Sequence, residues 1–290
     1  MKFNFSNRAG SPQRVSIQTP ARNPFYVDVG EIWRYRHLIP LLIRRDFISE
    51  FAQTILGPLW FVIHPIVQSV VFALVFGALA KISTDNATPF LFYNSSLVLW
   101  IYFQQSSTYV SQTFINNVGV FGKVYFPRLI APISTVIFRM VSLLVNYVVF
   151  VSFLIIFTLS GADVRPNWWI LATPIIVAQV CLLAFGVGAI ASAFTTRARD
   201  MVQAFGYLIT IWMYATPIIY PLSSVSGGYK YLYYLNPMTS MIEVFRYAYL
   251  GSGGGVNLIL WAVNTVEILV ILTIGVFAFN YTEKTVVDTA

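Results

Sequence analysis

The fold is decided by residues 44–60, which read Arg-Arg-Asp-Phe-Ile-Ser-Glu-Phe-Ala-Gln-Thr-Ile-Leu-Gly-Pro-Leu-Trp. At about 100° per residue, Phe47 and Ile48 fall on one side of a helix, and Asp46 and Glu50 fall on the other. A Leu-Gly-Pro turn then leads directly into a long apolar run. This order predicts an amphipathic helix lying in the plane of the lipid headgroups, followed at once by a helix that crosses the membrane.

Two residues break the amphipathic pattern, because Leu42 falls on the polar side and Arg44 on the apolar side. Pro40 stands where the first turn of the helix is expected, and proline is tolerated there. A soluble amphipathic helix would show the same periodicity. The apolar run after the turn favours the membrane interpretation.

The composition places the chain among integral membrane proteins. Of its 290 residues, 57% are hydrophobic and 10% are charged, and the mean hydropathy is +0.71, whereas soluble domains carry roughly 25% charged residues. Apolar runs of about 20 residues, the length that crosses the hydrocarbon core, predict six spans. These are 59–80, 90–112, 132–159, 168–194, 201–221 and 256–280.

Prolines and glycines interrupt the tyrosine-rich stretch between residues 212 and 250, so neither half makes a convincing span. We predict two short re-entrant or interfacial helices there, on the outer side before the last span, and a belt of aromatic side chains is the competing interpretation. The predicted fold class is an all-α membrane protein with six transmembrane helices and an N-terminal amphipathic interface helix. Its predicted regions are a cytoplasmic N-terminal tail (1–30), an interface-helix region (31–57), a transmembrane domain (58–282) and a cytoplasmic C-terminal tail (283–290).

The basic residues predict the orientation. With both termini in the cytoplasm, all but four of the 18 lysines and arginines lie on the cytoplasmic side. The formal charge of +7 then reflects topology and anionic headgroups. Nucleic-acid binding is excluded as an interpretation, because the cations are dispersed among loops. The first 30 residues lack the apolar core of a signal peptide and are expected to remain attached.

No motif for energy conversion or catalysis is apparent. The run Gly119–Val124 has glycine spacing too short for a phosphate loop, and no Ser or Thr follows Lys123. Cys181, His37 and His64 show no metal-ligand spacing. We therefore expect a chain that is not an enzyme and that binds neither a metal nor a cofactor of its own.

The second predicted span is rich in amides, hydroxyls and aromatic rings but carries no charge. Buried amides and hydroxyls need hydrogen-bond partners, which either neighbouring helices or a hydrated path would supply. Uncharged polar groups beside aromatic rings also suit a neutral sugar chain. The candidates for a glycan conduit are Trp100, Tyr102, Phe103, Gln104, Gln105, Tyr109 and Gln112.

Two further features bear on the interior of the predicted bundle. Ala184, Gly188 and Ser192 follow the small-residue spacing that lets membrane helices approach closely. Glu267 lies near the middle of the last predicted span, where a carboxylate is costly unless it faces the protein interior. It is either structural or, in an ion-driven transporter, part of proton coupling.

Several motifs follow one another along the chain from about residue 30. They include QTILGPLW at 53–60, HP at 64–65, VFG at 75–77, FY at 92–93, NN at 116–117 and KVYFPRL at 123–129. Together they resemble the membrane subunits of polysaccharide ABC exporters, whose fold is of the ABC-2 type. The runs at 53–60 and 123–129 look most like those of lipopolysaccharide O-antigen exporters, with teichoic acid exporters as near relatives. His64 departs from the pattern, since many relatives carry Gln there.

This resemblance implies a homodimer of six-span subunits in the bacterial inner membrane. Two copies of a separate ATPase subunit, which binds ATP and Mg²⁺, would energise it from the cytoplasmic side. The cargo would be an undecaprenyl-diphosphate-linked polysaccharide. The regions that contact the ATPase in such exporters carry over to about 30–53 and 113–128. The candidates are Glu31, Asp46, Glu50, Asn116, Asn117 and Phe121.

The resemblance also places the Leu-Gly turn before the first span near the entering lipid headgroup. Cations at this level would bind a diphosphate, and ordinary anchoring by positive charge explains them equally well. The candidates are Arg44, Arg45, Leu56, Gly57, Lys123 and Arg128. Alternative functions are export of teichoic acid, another lipid or a small amphiphile by the same architecture, and ion-driven secondary transport.

Overall fold

The computed structural model describes residues 28–52, 54–121, 126–198, 200–225 and 227–289. Within these ranges every regular element is helical, which confirms the predicted all-α class for this part of the chain. The α-helices are α1 (Val29–Arg34), α2 (Leu38–Phe51), α3 (Trp60–Phe72), α4 (Pro89–Ser111), α5 (Thr113–Asn116), α6 (Val118–Phe121), α7 (Ile130–Leu159), α8 (Thr173–Thr195), α9 (Asp200–Tyr214), α10 (Lys230–Tyr234), α11 (Pro237–Leu250) and α12 (Leu258–Thr289).

The passage from α2 to α3 follows the predicted order of helix, turn and span. A short 3-10 helix, Gly57–Leu59, lies between the two helices. Gly57 has a φ of 49°, a left-handed conformation that glycine adopts without the strain other residues incur. Beyond α3 the helix continues as a π-helical segment, Ala73–Leu79. The turn therefore joins α2 to a helical stretch long enough to cross a membrane.

Among the described residues, four helical stretches have the length and composition of membrane spans. They are Gly57–Leu79, Ile130–Leu159, Trp168–Thr195 and Leu258–Glu283. α4 has 23 residues, which is sufficient length, but its polar side chains lower its hydropathy. α9 has 15 residues, fewer than the about 20 that a typical crossing needs. The two remaining spans of the six-span topology therefore stay predictions.

α4 is the centre of the helical core. All residues from 91 to 103 are buried, and the helix packs against α3, α7, α8 and α11. Ser95 Oγ donates to the Phe92 carbonyl oxygen at 2.8 Å. Asn94 Nδ2 donates to Ser69 Oγ of α3 at 3.0 Å. α4 thus finds hydrogen-bond partners in its own backbone and in a neighbouring helix.

Glycines bring α8 close to both α4 and α12. A β-carbon at Gly188 would lie 2.7 Å from the Ser107 carbonyl oxygen, and one at Gly186 would lie 2.9 Å from Leu272 Cα. A side chain at either position would therefore push the helices apart. The predicted packing role of the small-residue spacing around Gly188 is confirmed.

Two short helices, α10 and α11, follow α9, where the interrupted stretch predicts them. Asn236 connects them to α9, because its Oδ1 accepts hydrogen bonds from Trp212 Nε1 and from the Met238 amide, both at 3.1 Å. α11 is buried along most of its length. The position of the two helices at the outer membrane surface stays a prediction.

Candidate functional site

The helix α2 packs two carboxylates of its polar side, Asp46 and Glu50, toward the rest of the protein. Asp46 and Glu50 have 23% and 25% of their side chains exposed, whereas Leu41 and Ile48 on the opposite side are 61% and 55% exposed. The periodicity predicts two sides but not which of them packs inward. These carboxylates are part of a cluster of contacting side chains that we name the α2 joint. Its members are Arg45, Asp46, Glu50, Tyr109, Asn117 and Arg139.

One half of the α2 joint connects α2 to the α5–α6 segment. Arg45 Nη2 donates to Asp46 Oδ1 at 2.7 Å and to Asn117 Oδ1 at 2.8 Å. Asn117 is buried, and its amide nitrogen donates to the Thr113 carbonyl oxygen at 2.9 Å. The structure therefore joins the two regions that the motif resemblance assigns to ATPase contact.

The other half of the α2 joint connects α2 to α7 and α4. Arg139 Nη1 donates to Glu50 Oε1 at 2.8 Å, and its guanidinium carbon lies 3.7 Å from the centre of the Tyr109 ring. Arg139 itself is buried. No sequence spacing indicates this contact, because the three residues come from three helices that are distant in the chain.

Arg128 is held by the C-terminal part of α12 and by an aromatic ring. Its Nε lies 3.8 Å from Glu283 Oε1, and its Nη1 donates to the Glu283 carbonyl oxygen at 3.3 Å. The guanidinium carbon lies 5.3 Å from the centre of the Phe121 ring. Phe121 in turn packs against Phe114 and Phe126. Arg128 and Phe121, predicted for two different sites, thus contact each other.

Arg44 differs from Arg45 and Arg128. Its side chain is exposed, and within the described ranges no ion pair or hydrogen bond involves it. It lies on the same side of α2 as Leu41 and Ile48, about one turn from each. Among the described cations predicted to bind a diphosphate, Arg44 is the one whose guanidinium has no protein partner.

The remaining candidates for ATPase contact and lipid entry are spread over the turns around α1, α3 and α5. The Glu31 amide donates to Asp28 Oδ1 at 2.9 Å, which caps α1. Leu56, at the turn into α3, is 40% exposed. Asn116 is exposed at the end of α5. Lys123 lies outside the described residues.

The conduit candidates on α4 include an inner group of Trp100, Tyr102 and Phe103. All three are fully buried among other helices. Tyr102 Oη donates to the Val136 carbonyl oxygen of α7 at 3.1 Å. Phe103 packs edge-on against Trp212 of α9. These are contacts between packed helices of one chain.

The outer group on α4 consists of Gln104, Gln105, Tyr109 and Gln112. Tyr109 is 41% exposed, and the three glutamines are partly buried. Gln112 Nε2 donates to the Thr108 carbonyl oxygen at 3.4 Å. Gln105 Oε1 is buried without a hydrogen-bond partner in the described part of the chain. This group lies closer to the surface of the chain than the inner group.

A further aromatic surface lies on α9, outside the candidates predicted from the sequence. Tyr207, Ile211 and Tyr214 are exposed and are spaced four and three residues apart, so they share one side of the helix. Trp60 at the start of α3 is exposed as well. The available signal was the seven-residue spacing of the two tyrosines in the fifth predicted span.

Glu267 belongs to a polar connection between the last three helices. Asn264 Nδ2 donates to Glu267 Oε2 and to the Tyr234 carbonyl oxygen, each at 2.8 Å. Asn264 Oδ1 accepts from the Ser240 amide at 3.3 Å. These bonds link α10, α11 and α12 and support the structural interpretation of Glu267.

Comparison with known proteins defines the class. A family model described as ABC-2 type transporter matches residues 37–250, which is most of the chain. The chain therefore belongs to the ABC-2 type transporter family, whose members are membrane-spanning permeases. The membership in the ABC-2 family predicted from the motifs is confirmed.

Individual relatives narrow the class further. The chain is 26% identical over 220 residues to the O-antigen export system permease protein RfbA of Myxococcus xanthus, which covers 75% of this chain and 82% of the relative. Two Klebsiella pneumoniae proteins of the same name are 24% identical over 244 residues and 27% identical over 210 residues. These cover 84% and 72% of this chain and 91% and 78% of the relatives. The predicted similarity to O-antigen exporters is confirmed.

Proposed function

We propose that this chain is the membrane subunit of an ATP-driven exporter that moves an undecaprenyl-diphosphate-linked polysaccharide, such as an O-antigen, across the bacterial inner membrane. Two copies of the chain form the conduit. Two separate ATPase subunits bind ATP and Mg²⁺ on the cytoplasmic side, where both termini of this chain also lie. Family membership and the names of the relatives support this proposal.

The observation that carries the proposal is the α2 joint. Arg45 connects α2 to Asn117 at 2.8 Å, and Arg139 connects it to α7 at 2.8 Å. The two regions assigned to ATPase contact are therefore one connected structure attached to core helices. A transporter chain without a phosphate loop of its own needs a surface such as the α2 joint, through which conformational changes of the ATPase subunit reach the membrane helices.

Arg44 is the cation proposed to meet the lipid diphosphate. Arg45 and Arg128 already face carboxylates, so their charges are compensated within the chain. Arg44 stands exposed among apolar side chains, a few turns before the Leu56-Gly57 turn. A guanidinium in that position would make charge-assisted hydrogen bonds to phosphate at the headgroup level.

The conduit is proposed to lie between two copies of the chain. The exposed side of α9, with Tyr207 and Tyr214, and the exposed Tyr109 of α4 offer aromatic rings that a second copy would enclose. Sugar rings pack against such faces while their hydroxyls hydrogen-bond to side chains such as Gln112. The inner α4 group packs against the neighbouring helices α7 and α9.

A reconstitution experiment tests the proposal. The purified chain alone should hydrolyse no ATP, and ATPase activity should appear when the partner subunit from the same exporter is added. Vesicles containing the complex should then move lipid-linked polysaccharide only with ATP. ATP turnover by the chain alone, or transport driven by an ion gradient without ATP, would contradict the proposal.

Cysteine labelling tests the six-span topology. With Cys181 replaced, a cysteine at Gly227 should react with an impermeant thiol reagent in intact cells, because this position lies between α9 and α10 on the predicted outer side. A cysteine at Thr196, on the predicted cytoplasmic side, should react only after the cells are opened. The opposite pattern would overturn the orientation.

Export of teichoic acid, another lipid or a small amphiphile is the second candidate function. One observation favours it: the most aromatic part of α4 is packed inside a single chain and is not available to line a sugar path. A complex that moves lipid or teichoic acid but no neutral polysaccharide would establish this alternative.

A further inference from the structure

One buried ion pair ties α2 to two core helices. Arg139 lies nine residues into α7, about 13 Å along the helix, and is 3% exposed. Its only carboxylate partner among the described residues is Glu50, in the last turn of α2. Its guanidinium covers the ring of Tyr109 near the end of α4. Three separate helices therefore meet at one side chain.

The Glu50–Arg139 pair is expected to contribute little to the stability of the fold. Glu50 Oε2 and Arg139 Nε are both buried without a hydrogen-bond partner in the described part of the chain. Burying such atoms opposes folding, and a buried ion pair contributes little net stability compared with apolar side chains of similar size. Its directional geometry, in contrast, determines where one helix sits against another.

Aromatic contacts around the pair do not replace it. Phe47 of α2 meets Phe138 of α7 edge-on at 6.2 Å, and Phe51 meets Phe61 of α3 at 5.2 Å. Apolar contacts of this kind allow a helix to slide or rotate. The bond from Arg139 to Glu50 is directional and restrains the last turn of α2, as the bond from Arg45 to Asn117 restrains the middle of that helix.

We infer that Arg139 is a positioning residue, which holds the last turn of α2 against α4 and α7 so that the three helices move together when a partner displaces α2. The inference rests on the proposed function, because it takes that partner to be the ATPase subunit. Displacement of the α2 joint on the cytoplasmic side then moves α4, the helix that carries the exposed Tyr109 and the outer glutamines.

The test uses the complete complex in lipid vesicles. Glu50→Leu/Arg139→Met removes both charges together, so no buried charge is left unpaired and the melting temperature should stay close to that of the wild type. Amide hydrogen exchange in residues 38–51 should nevertheless become about tenfold faster or more, without a change in residues 173–195. The amount of polysaccharide exported per ATP hydrolysed should fall by a similar factor.

A matched control is Asp163→Asn/Arg165→Gln, which removes an exposed ion pair and should change none of these measurements. Wild-type exchange and wild-type coupling in the Glu50/Arg139 double variant would overturn the inference. So would faster exchange spread equally over α2 and α8, because that pattern reports general instability.

A second variant keeps the inference testable if the Glu50/Arg139 double variant does not assemble into the complex. Arg139→Lys keeps the positive charge but loses the planar guanidinium over Tyr109, and we expect an intermediate rise in α2 exchange with intermediate coupling. No rise would overturn the inference. If the wild-type complex hydrolyses ATP without exporting polysaccharide, the proposed function fails, while the exchange measurements still decide the role of Arg139.

Discussion

Two buried arginines, Arg139 and Arg246, use the same chemistry in different ways. Each guanidinium carbon lies 3.7 Å from the centre of an aromatic ring, Tyr109 for Arg139 and Phe92 for Arg246. Each also pairs with a carboxylate, at 2.8 and 2.9 Å. The two sites differ in where the carboxylate comes from.

Arg246 forms its ion pair with a carboxylate of its own helix and makes hydrogen bonds to two other segments. Glu243 lies three residues before it on α11, and Arg246 Nη2 also donates to Ser96 Oγ at 2.6 Å and to the Pro217 carbonyl oxygen at 2.8 Å. Among the described residues Arg139 has one carboxylate partner, Glu50, which belongs to another helix. Arg246 is therefore neutralised within its own helix and bonded to two further groups, whereas the pairing of Arg139 depends on where α2 lies.

The largest effect is expected for Arg246→Met. The substitution leaves Glu243 partly buried without its cation and removes bonds to Ser96 and Pro217, so the free energy of unfolding should fall by about 3–5 kcal/mol. Thermal unfolding of the purified chain in detergent measures this loss. A decrease below about 1 kcal/mol would show that Arg246 is not the well-bonded member of the two.

Arg139→Met should cost less than Arg246→Met. It removes one ion pair, whereas Arg246→Met also removes the bonds to Ser96 and Pro217, and we expect a decrease of about 2–3 kcal/mol in the free energy of unfolding. The same unfolding assay compares both variants side by side. Equal losses would mean that the two sites are energetically alike.

Tyr109→Leu should have a smaller effect, because it removes the ring beneath Arg139 but leaves the ion pair with Glu50. Cation–π contacts contribute about 0.5–2 kcal/mol, and the loss should lie in that range. Comparing the double variant Tyr109→Leu/Arg139→Met with the two single variants isolates the contact. Strict additivity of the two losses would show that the ring and the guanidinium do not interact.

The smallest effect is expected for Arg165→Gln. Its side chain and that of Asp163 are 77% and 71% exposed, and exposed pairs contribute at most about 1 kcal/mol. The midpoint of thermal unfolding should stay at the wild-type value within error. A loss as large as that of Tyr109→Leu would remove the distinction between buried and exposed pairs.

Much of the fold could be predicted because hydropathy and local periodicity report it directly. Four stretches with the composition of membrane spans, the turn at Gly57 and the close packing at Gly188 all depend on short-range sequence features. The role of α4 could not be read in this way. Hydroxyls such as that of Ser95 bond to the carbonyl of the preceding turn, so a polar helix is buried without needing water.

The candidate site was predictable only in part. The motif resemblance selected Arg45 and Asn117, and the structure brings them into contact. Arg139 could not be selected, since a single arginine near the cytoplasmic side also fits simple anchoring by positive charge. Its significance depends on Glu50, a residue 89 positions earlier in the chain, and tertiary contacts over such a distance leave no trace in local periodicity.

The separation between Glu50 and Arg139 also bears on how the chain is made. The ribosome adds Glu50 before any of α7, so its carboxylate has no Arg139 to pair with until the chain has grown by a further 89 residues. Glu243 and Arg246 face no such delay, because they emerge three residues apart and can neutralise each other within a single turn of nascent helix. The α2 joint therefore cannot be complete before α4 and α7 are synthesised, whereas the two opposite charges of α11 are synthesised almost together.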